Sequence, residues 1–268
     1  MKKKLLFIFA LLCMVAQGAW AQRVVNLSEL AAYTEITVQD GDVLTGELYC
    51  GVVYIPDGAT VTLNGINLNL PDMIPEASRV QGTIQCLGDA TIILEEGSEN
   101  KILAWNSSGI HVQKKGKTLT IKGSGSLDVR GGFEYAGIGG CTDSNIVIED
   151  GIINARSPQK STAVMFIPIE WNGGAGIGGN DDGDNVNITI NGGTITASGA
   201  KNGAGIGGGE GGHGGSFRDE SAGLALCGGS GAGHQGQAGN WFQQDDCQGS
   251  CCHCRLWKDH GENGRREP

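Results

Sequence analysis

Beyond residue 21 the 268-residue chain has no apolar run near the ~20 residues that a membrane-spanning helix needs, so no transmembrane segment is expected. It has no sustained helical period either, except at residues 27–33, which disfavours a solenoid of helix pairs. Basic residues are fewer than acidic ones, 19 against 29. A surface of that sign repels nucleic acid, and acidic polysaccharides too unless a divalent cation lies between. There is no Gly-x-Ser-x-Gly elbow, phosphate loop or dinucleotide fingerprint, and no pair of carboxylates can be singled out for glycoside hydrolysis. No catalytic residues are therefore assigned, and a non-enzymatic protein is expected. Aromatic residues are sparse, 6% of the chain, so each exposed ring becomes a specific candidate for stacking on a sugar face.

What is present begins with a processing signal. Lys2, Lys3 and Lys4 precede an apolar run over residues 5–16 and then Ala19-Trp20-Ala21, the pattern of a signal peptide cleaved before Gln22. This implies a secreted or cell-surface location. Removing it makes the chain three charges more negative than its formal −10. Lipid attachment at Cys13 is not expected, because Leu12 stands where a lipoprotein peptidase needs a small residue. Glycine is abundant, 47 residues, yet without the period of three that collagen requires, so it marks turns.

The chain repeats itself. Ile146-Val147-Ile148-Glu149-Asp150-Gly151-Ile152-Ile153-Asn154-Ala155 aligns without gaps on Ile188-Thr189-Ile190-Asn191-Gly192-Gly193-Thr194-Ile195-Thr196-Ala197. Weaker copies place Leu63, Leu94, Ile121, Ile148 and Ile190 in register, at spacings of 31, 27, 27 and 42. A second marker accompanies the first: Ala136-Gly137-Ile138-Gly139-Gly140, Ala175-Gly176-Ile177-Gly178-Gly179 and Ala204-Gly205-Ile206-Gly207-Gly208. One insertion of 13 residues within 156–173 explains both the spacing of 42 and the late second marker, and the underlying period is about 28. Apolar and polar residues alternate on both sides of a glycine, the signature of strand, turn, strand. Coils of two or three short strands, stacked so that inward side chains share one core, account for this, with Ala-Gly at a sharp bend where glycine accepts positive φ. The expected fold is all-β, a right-handed parallel β-helix with coils of about 28 residues. A β-sandwich or antiparallel repeat is the alternative.

The organisation expected is a signal peptide over 1–21, an N-terminal cap over 22–40, a β-solenoid over 41–212 and a non-repetitive tail over 213–268. The tail carries Cys227, Cys247, Cys251, Cys252 and Cys254, and three readings stay open: a disulfide cap, a metal site, or the product of a frameshift whose other frame would restore the missing strand. Cys50, Cys86 and Cys141 read as small buried residues.

Ligand candidates are Trp105, Tyr135 and Trp171 among the aromatics. Asn180, Asp181, Asp182 and Asp184 offer hard oxygen donors among glycines and form a candidate calcium loop, although neither the EF-hand nor the glycine-rich nonapeptide spacing is matched. Asp143, Glu149 and Asp150 form a second acidic group one coil earlier. Lys122, Arg130 and Arg156 are cations that a polysaccharide lyase would use as a base, but each sits at a turn, where solubility explains it. His111 reads as a core or edge residue.

The order Leu119-Thr120-Ile121-Lys122-Gly123, Ala136-Gly137-Ile138-Gly139-Gly140, Gly192-Gly193-Thr194-Ile195-Thr196-Ala197 and Gly203-Ala204-Gly205-Ile206-Gly207-Gly208 resembles a family of secreted Bacteroidales proteins labelled carbohydrate-binding domain-containing proteins. The likeness covers roughly residues 40–212 and concerns the repeat more than any activity. It implies extracellular, non-catalytic binding of a polysaccharide or surface glycan, with calcium as the one cofactor to consider. A structural or adhesin-like surface repeat protein is the alternative, and a lyase a more distant one.

Overall fold

The computed structural model describes residues 22–69, 83–132, 134–158, 173–180, 185–200, 203–209, 215–219, 224–228 and 252–255. The expected signal peptide, Trp171, Asp181, Asp182, Asp184 and most of the tail lie outside them.

Within these residues the chain is all-β, and its pairing is parallel except between Leu224–Gly228 and Cys252–Arg255. The antiparallel repeat left open by the sequence is excluded. Three ladders recur. The first runs through Ala59–Asn69, Ala90–Leu94, Thr118–Lys122, Asn145–Ile148, Asn187–Ile190 and Phe217–Asp219. The second runs through Val43–Tyr49, the latter half of Ala59–Asn69, Glu99–Leu103, Ser126–Arg130, Ile152–Arg156, Thr194–Ser198 and Leu224–Gly228. The third forms a separate seven-stranded sheet from Glu35–Thr37, Val52–Ile55, Thr83–Cys86, Ile110–Val112, Ile138–Gly140, Ile177–Gly178 and Ile206–Gly207. The repeat reading ends at residue 212, whereas the first two ladders each add a strand beyond it.

Alternation decides which side chains face inward. Leu63, Ile121, Ile148 and Ile190 from the first ladder, Ile102, Leu127 and Ile195 from the second, and Ile84, Ile110 and Ile138 from the third join one buried cluster. Each fully buried aliphatic side chain contributes about 1.5–3 kcal/mol relative to exposure. The expected register holds from Leu63 to Leu94 and from Ile121 through Ile148 to Ile190. Between them it slips by two: Ile121 pairs with Ile92, not Leu94. A slip of two keeps every side chain on its own face, so the alternating pattern could not reveal it.

The Ala-Gly pairs act otherwise than expected. Gly137 and Gly176 are not among the positive-φ residues; a Cβ at Gly137 would instead meet the Arg156 nitrogen and Gly176 carbonyl at 2.7 Å. Glycine is there because neighbouring coils touch backbone to backbone. The positive φ falls on Gly178 (135°) and Gly207 (131°), after the motif isoleucine.

One inward column contains a polar residue. Asn100 occupies the position filled by Leu127 in the next coil. It is 2% exposed and fully engaged: its Oδ1 accepts from the Gly65 and Ile66 amides at 3.0 and 3.1 Å, and its Nδ2 donates to Ser98 Oγ and the Ser126 carbonyl at 2.9 and 3.0 Å. Those two amides lie where Ala59–Asn69 bends at Gly65, φ 75°, without a separate turn. Asn100→Leu would suit the column's volume but orphan both donors, so a loss of about 2–4 kcal/mol is expected in urea unfolding. An unchanged midpoint would mean the bend does not need this clamp.

Candidate functional site

Loop length is where the coils differ. Apart from the continuous strand Ala59–Asn69, turns from the first ladder to the second take three or four residues, whereas connections from the second to the third range from Cys50-Gly51 alone to residues 157–176. Insertions in a stacked-repeat protein collect on one face, frequently the binding face. Two of these variable corners are stacked directly: Ala104 N–H donates to the Arg130 carbonyl (2.9 Å) and Gly132 N–H to the Ser107 carbonyl (2.8 Å). Gly132 permits it, since a Cβ there would strike the Trp105 carbonyl.

Beside this corner, on the outer face of the third ladder, Tyr54, Gln85 and His111 form one column in register. Below His111 the column continues as Gly139, Gly178 and Gly207, which have no side chains. A depression of about 380 Å³ opens here, lined by Gln85, Asn106, Ser107, His111, Gln113 and Tyr135. Gln85 is its fixed base, 5% exposed. Its Nε2 donates to Thr83 Oγ1 (3.1 Å) and Ser107 Oγ (3.0 Å), and its Oε1 accepts from Gln113 Nε2 (3.1 Å). Thr83 in turn donates to the Ser108 carbonyl at 2.6 Å. Such a satisfied network holds its members in one arrangement.

The sequence candidates fall as follows. Tyr135 lines the depression. Trp105 is half-buried in the corner loop whose next two residues, Asn106 and Ser107, line it. Asn180 accepts at Oδ1 from Ser108 Oγ (3.0 Å) and from the Ala136 amide (2.9 Å), so it braces the residue after Tyr135. Asp181, Asp182 and Asp184, the other members of the candidate calcium loop, lie outside the described residues. Among the described residues no group of three or more His, Cys, Asp or Glu side chains could hold a metal. Asp143 does not group with Glu149 and Asp150: strand Asn145–Ile148 separates them, and Asp143 pairs with Lys115 at 2.7 Å. His111, read as core or edge, is half-buried and faces the depression.

No family model matches the chain, and no curated protein or solved structure matches it. The chemistry of the depression therefore has to be read from its own groups. They are amides, hydroxyls, an imidazole and a phenol, with no carboxylate or ammonium among the lining residues. Such groups donate and accept hydrogen bonds to neutral hydroxyls and present one ring face. Cys50 and Cys86 add no nucleophile: both are buried free thiols, and burial pushes Cys86 up to about 12, leaving it protonated at neutral pH, while Cys141, expected to be buried, is half-exposed.

Sequence reasoning missed Gln85 and Gln113, and their signal was positional. Each is one polar residue per coil, meaningful only once the coils are set in register.

Proposed function

We propose that this chain is an extracellular, non-catalytic carbohydrate-binding protein built as a right-handed parallel β-helix. The observation that carries the reading is the polar depression with Tyr135 at its edge, beside the corner where loop length varies. A glycan needs several directional hydrogen bonds from fixed amides and hydroxyls together with an aromatic surface for its C–H face. Gln85, its amide engaged within the protein, fixes Ser107 and Gln113, while Asn106, Gln113 and Tyr135 reach solvent around it. Strands stacked about 4.8 Å apart repeat polar groups along the coil axis, which suits an extended polymer more than a single sugar. The resemblance in the repeat motifs, the signal-like leader and the acidic balance of charge agree with a secreted glycan binder.

The test is retention of the full chain on a panel of soluble and insoluble polysaccharides, with calcium and with chelator. Retention is expected, and Tyr135→Ala should weaken it roughly tenfold, the worth of one stacked ring. Retention abolished by chelator would assign calcium a bridging role near the Asn180 loop. Folded protein held by no polysaccharide in either buffer would overturn the proposal and favour the surface-repeat reading.

A further inference from the structure

Around the corner from the depression, the outer face of the second ladder carries two arginines in register. Arg130 ends one strand and Arg156 the next, and the two pair directly across the ladder. Their partners are unequally shared. Asp128, two residues before Arg130, accepts two hydrogen bonds from Arg156 Nη2, at 2.9 Å on Oδ1 and 2.8 Å on Oδ2. Its Oδ1 also accepts from Asn154 at 3.1 Å. That carboxylate is therefore committed to the neighbouring strand. Arg130 makes no salt bridge among the described residues, and its Nε is buried without a hydrogen-bond partner. Burial, and then the positive charge of Arg156, pull the Arg130 guanidinium below its ordinary pKa, with Asp128 only partly opposing.

A half-buried guanidinium without an acceptor, beside a second guanidinium, is a costly arrangement in a free protein. It becomes favourable when an anion supplies the missing acceptors, because a planar fork matches carboxylate and sulfate oxygens. The location is equally telling. The chain as a whole is acidic, so this is a local inversion of sign on a surface that otherwise repels anions. Beside it, a depression of about 420 Å³ runs along the same face past Asn67, Lys101 and Asn154, open enough for a chain molecule to lie across the strands; Glu47, Glu99 and Asp128 also line it, so an acidic group is received at the arginine pair and not along the groove.

We propose that Arg130 and Arg156 form an anion subsite that receives an acidic substituent, a carboxylate or a sulfate ester, of the bound glycan. This rests on the carbohydrate-binding reading and narrows it to acidic polymers. The net charge of the chain then limits affinity at long range, and the two arginines confer it locally; salt screens the distant repulsion more than the partly buried contact.

Full-length protein is tested for retention on polygalacturonate, its methyl-esterified form, dextran sulfate and neutral dextran. Retention on polygalacturonate that the ester abolishes would identify a carboxylate; preference for dextran sulfate would identify a sulfate ester. Arg130→Gln is expected to reduce retention on the acidic polymer about tenfold or more, the loss of one charge-assisted contact, and to leave neutral polymers unaffected. Asp128→Asn removes the competing carboxylate and is expected to strengthen acidic binding several-fold, an increase that a purely structural role for the arginines would not produce. Equal retention of wild type and Arg130→Gln, with both folded by circular dichroism, would overturn the subsite. Retention on neutral polymers alone would sink this inference and spare the carbohydrate reading; retention on none would end both.

Discussion

Gly178→Ala is expected to destabilise the protein by about 2–6 kcal/mol, combining backbone strain with a steric clash that neighbouring atoms cannot relieve. The residue has φ 135°, and a Cβ there would collide with the carbonyl oxygen of Gly207 in the next coil. Because that obstacle is backbone, no rotamer change removes it. The contrast is Gly97→Ala, also at positive φ (72°) but with nothing within 4 Å of the added carbon, where only about 1–2 kcal/mol of conformational cost is expected. Urea midpoints of the two variants separate the effects, and equal losses would show that crowding between coils is unimportant. Stacked coils also answer mainly to their neighbours. Hydrogen exchange should therefore accelerate around Thr194–Ser198 in Gly178→Ala while Ala90–Leu94 keeps its protection.

How much of this was legible follows from strand length. Most strands of ladders one and two have four or five residues on either side of a tight turn, as in Asn145–Ile148 and Ile152–Arg156, long enough for period-two alternation to declare itself. Their inward residues, and most of their register, were readable from Ile146 to Ala155 and its copy. Third-ladder strands such as Ile177–Gly178 have two residues and cannot show a period. They announced themselves only through the Ala-Gly-Ile-Gly-Gly marker, whose glycines were given the wrong reason because crowding by the next coil cannot be seen in one coil's sequence. The depression was less legible still. Tyr135 was singled out as a ring, but Gln85 comes from a different stretch than His111 and Gln113, and only the stacking of Gln85 on His111 makes them neighbours. The arginine pair was half visible. Val129-Arg130 and Ala155-Arg156 end equivalent strands, so their adjacency follows from the aligned repeat. What no alignment of repeats could show is that Asp128 binds one of them and leaves the other.

Asp42→Ala should cost about 2–3 kcal/mol, at or below the lower end of the roughly 3–5 that a broken buried pair loses, because Arg23 is half exposed and can return to water. Asp42 is 1% exposed at the N-terminal end of the stack. It receives Arg23 Nε at 2.7 Å, a second hydrogen bond from Arg23 Nη2, and the Gln39 amide at 2.7 Å. These contacts tie Val24–Asn26 to Val43–Tyr49 and keep the fully buried Leu27 over the first coil. Burial alone would raise the pKa of Asp42, but the hydrogen bonds from Arg23 and Gln39 outweigh it and hold the carboxyl below its usual value. A depressed folded pKa means that the stabilisation is present in full above the unfolded value, about 3.9, and is lost as pH falls through the folded one. Asp57 and Asp89 are also held low, Asp57 first by the Asp89 amide and Asp89 first by Lys117, so the wild type alone would not isolate Asp42. The difference between wild type and Asp42→Asn does. It should be constant from pH 7 down to about 5 and shrink below about 4, as protonation deprives the wild type of the same charge. A difference that stayed constant to pH 2 would mean that the ion pair with Arg23 does not hold the cap, leaving the Gln39 hydrogen bond and the packing of Leu27 to do so.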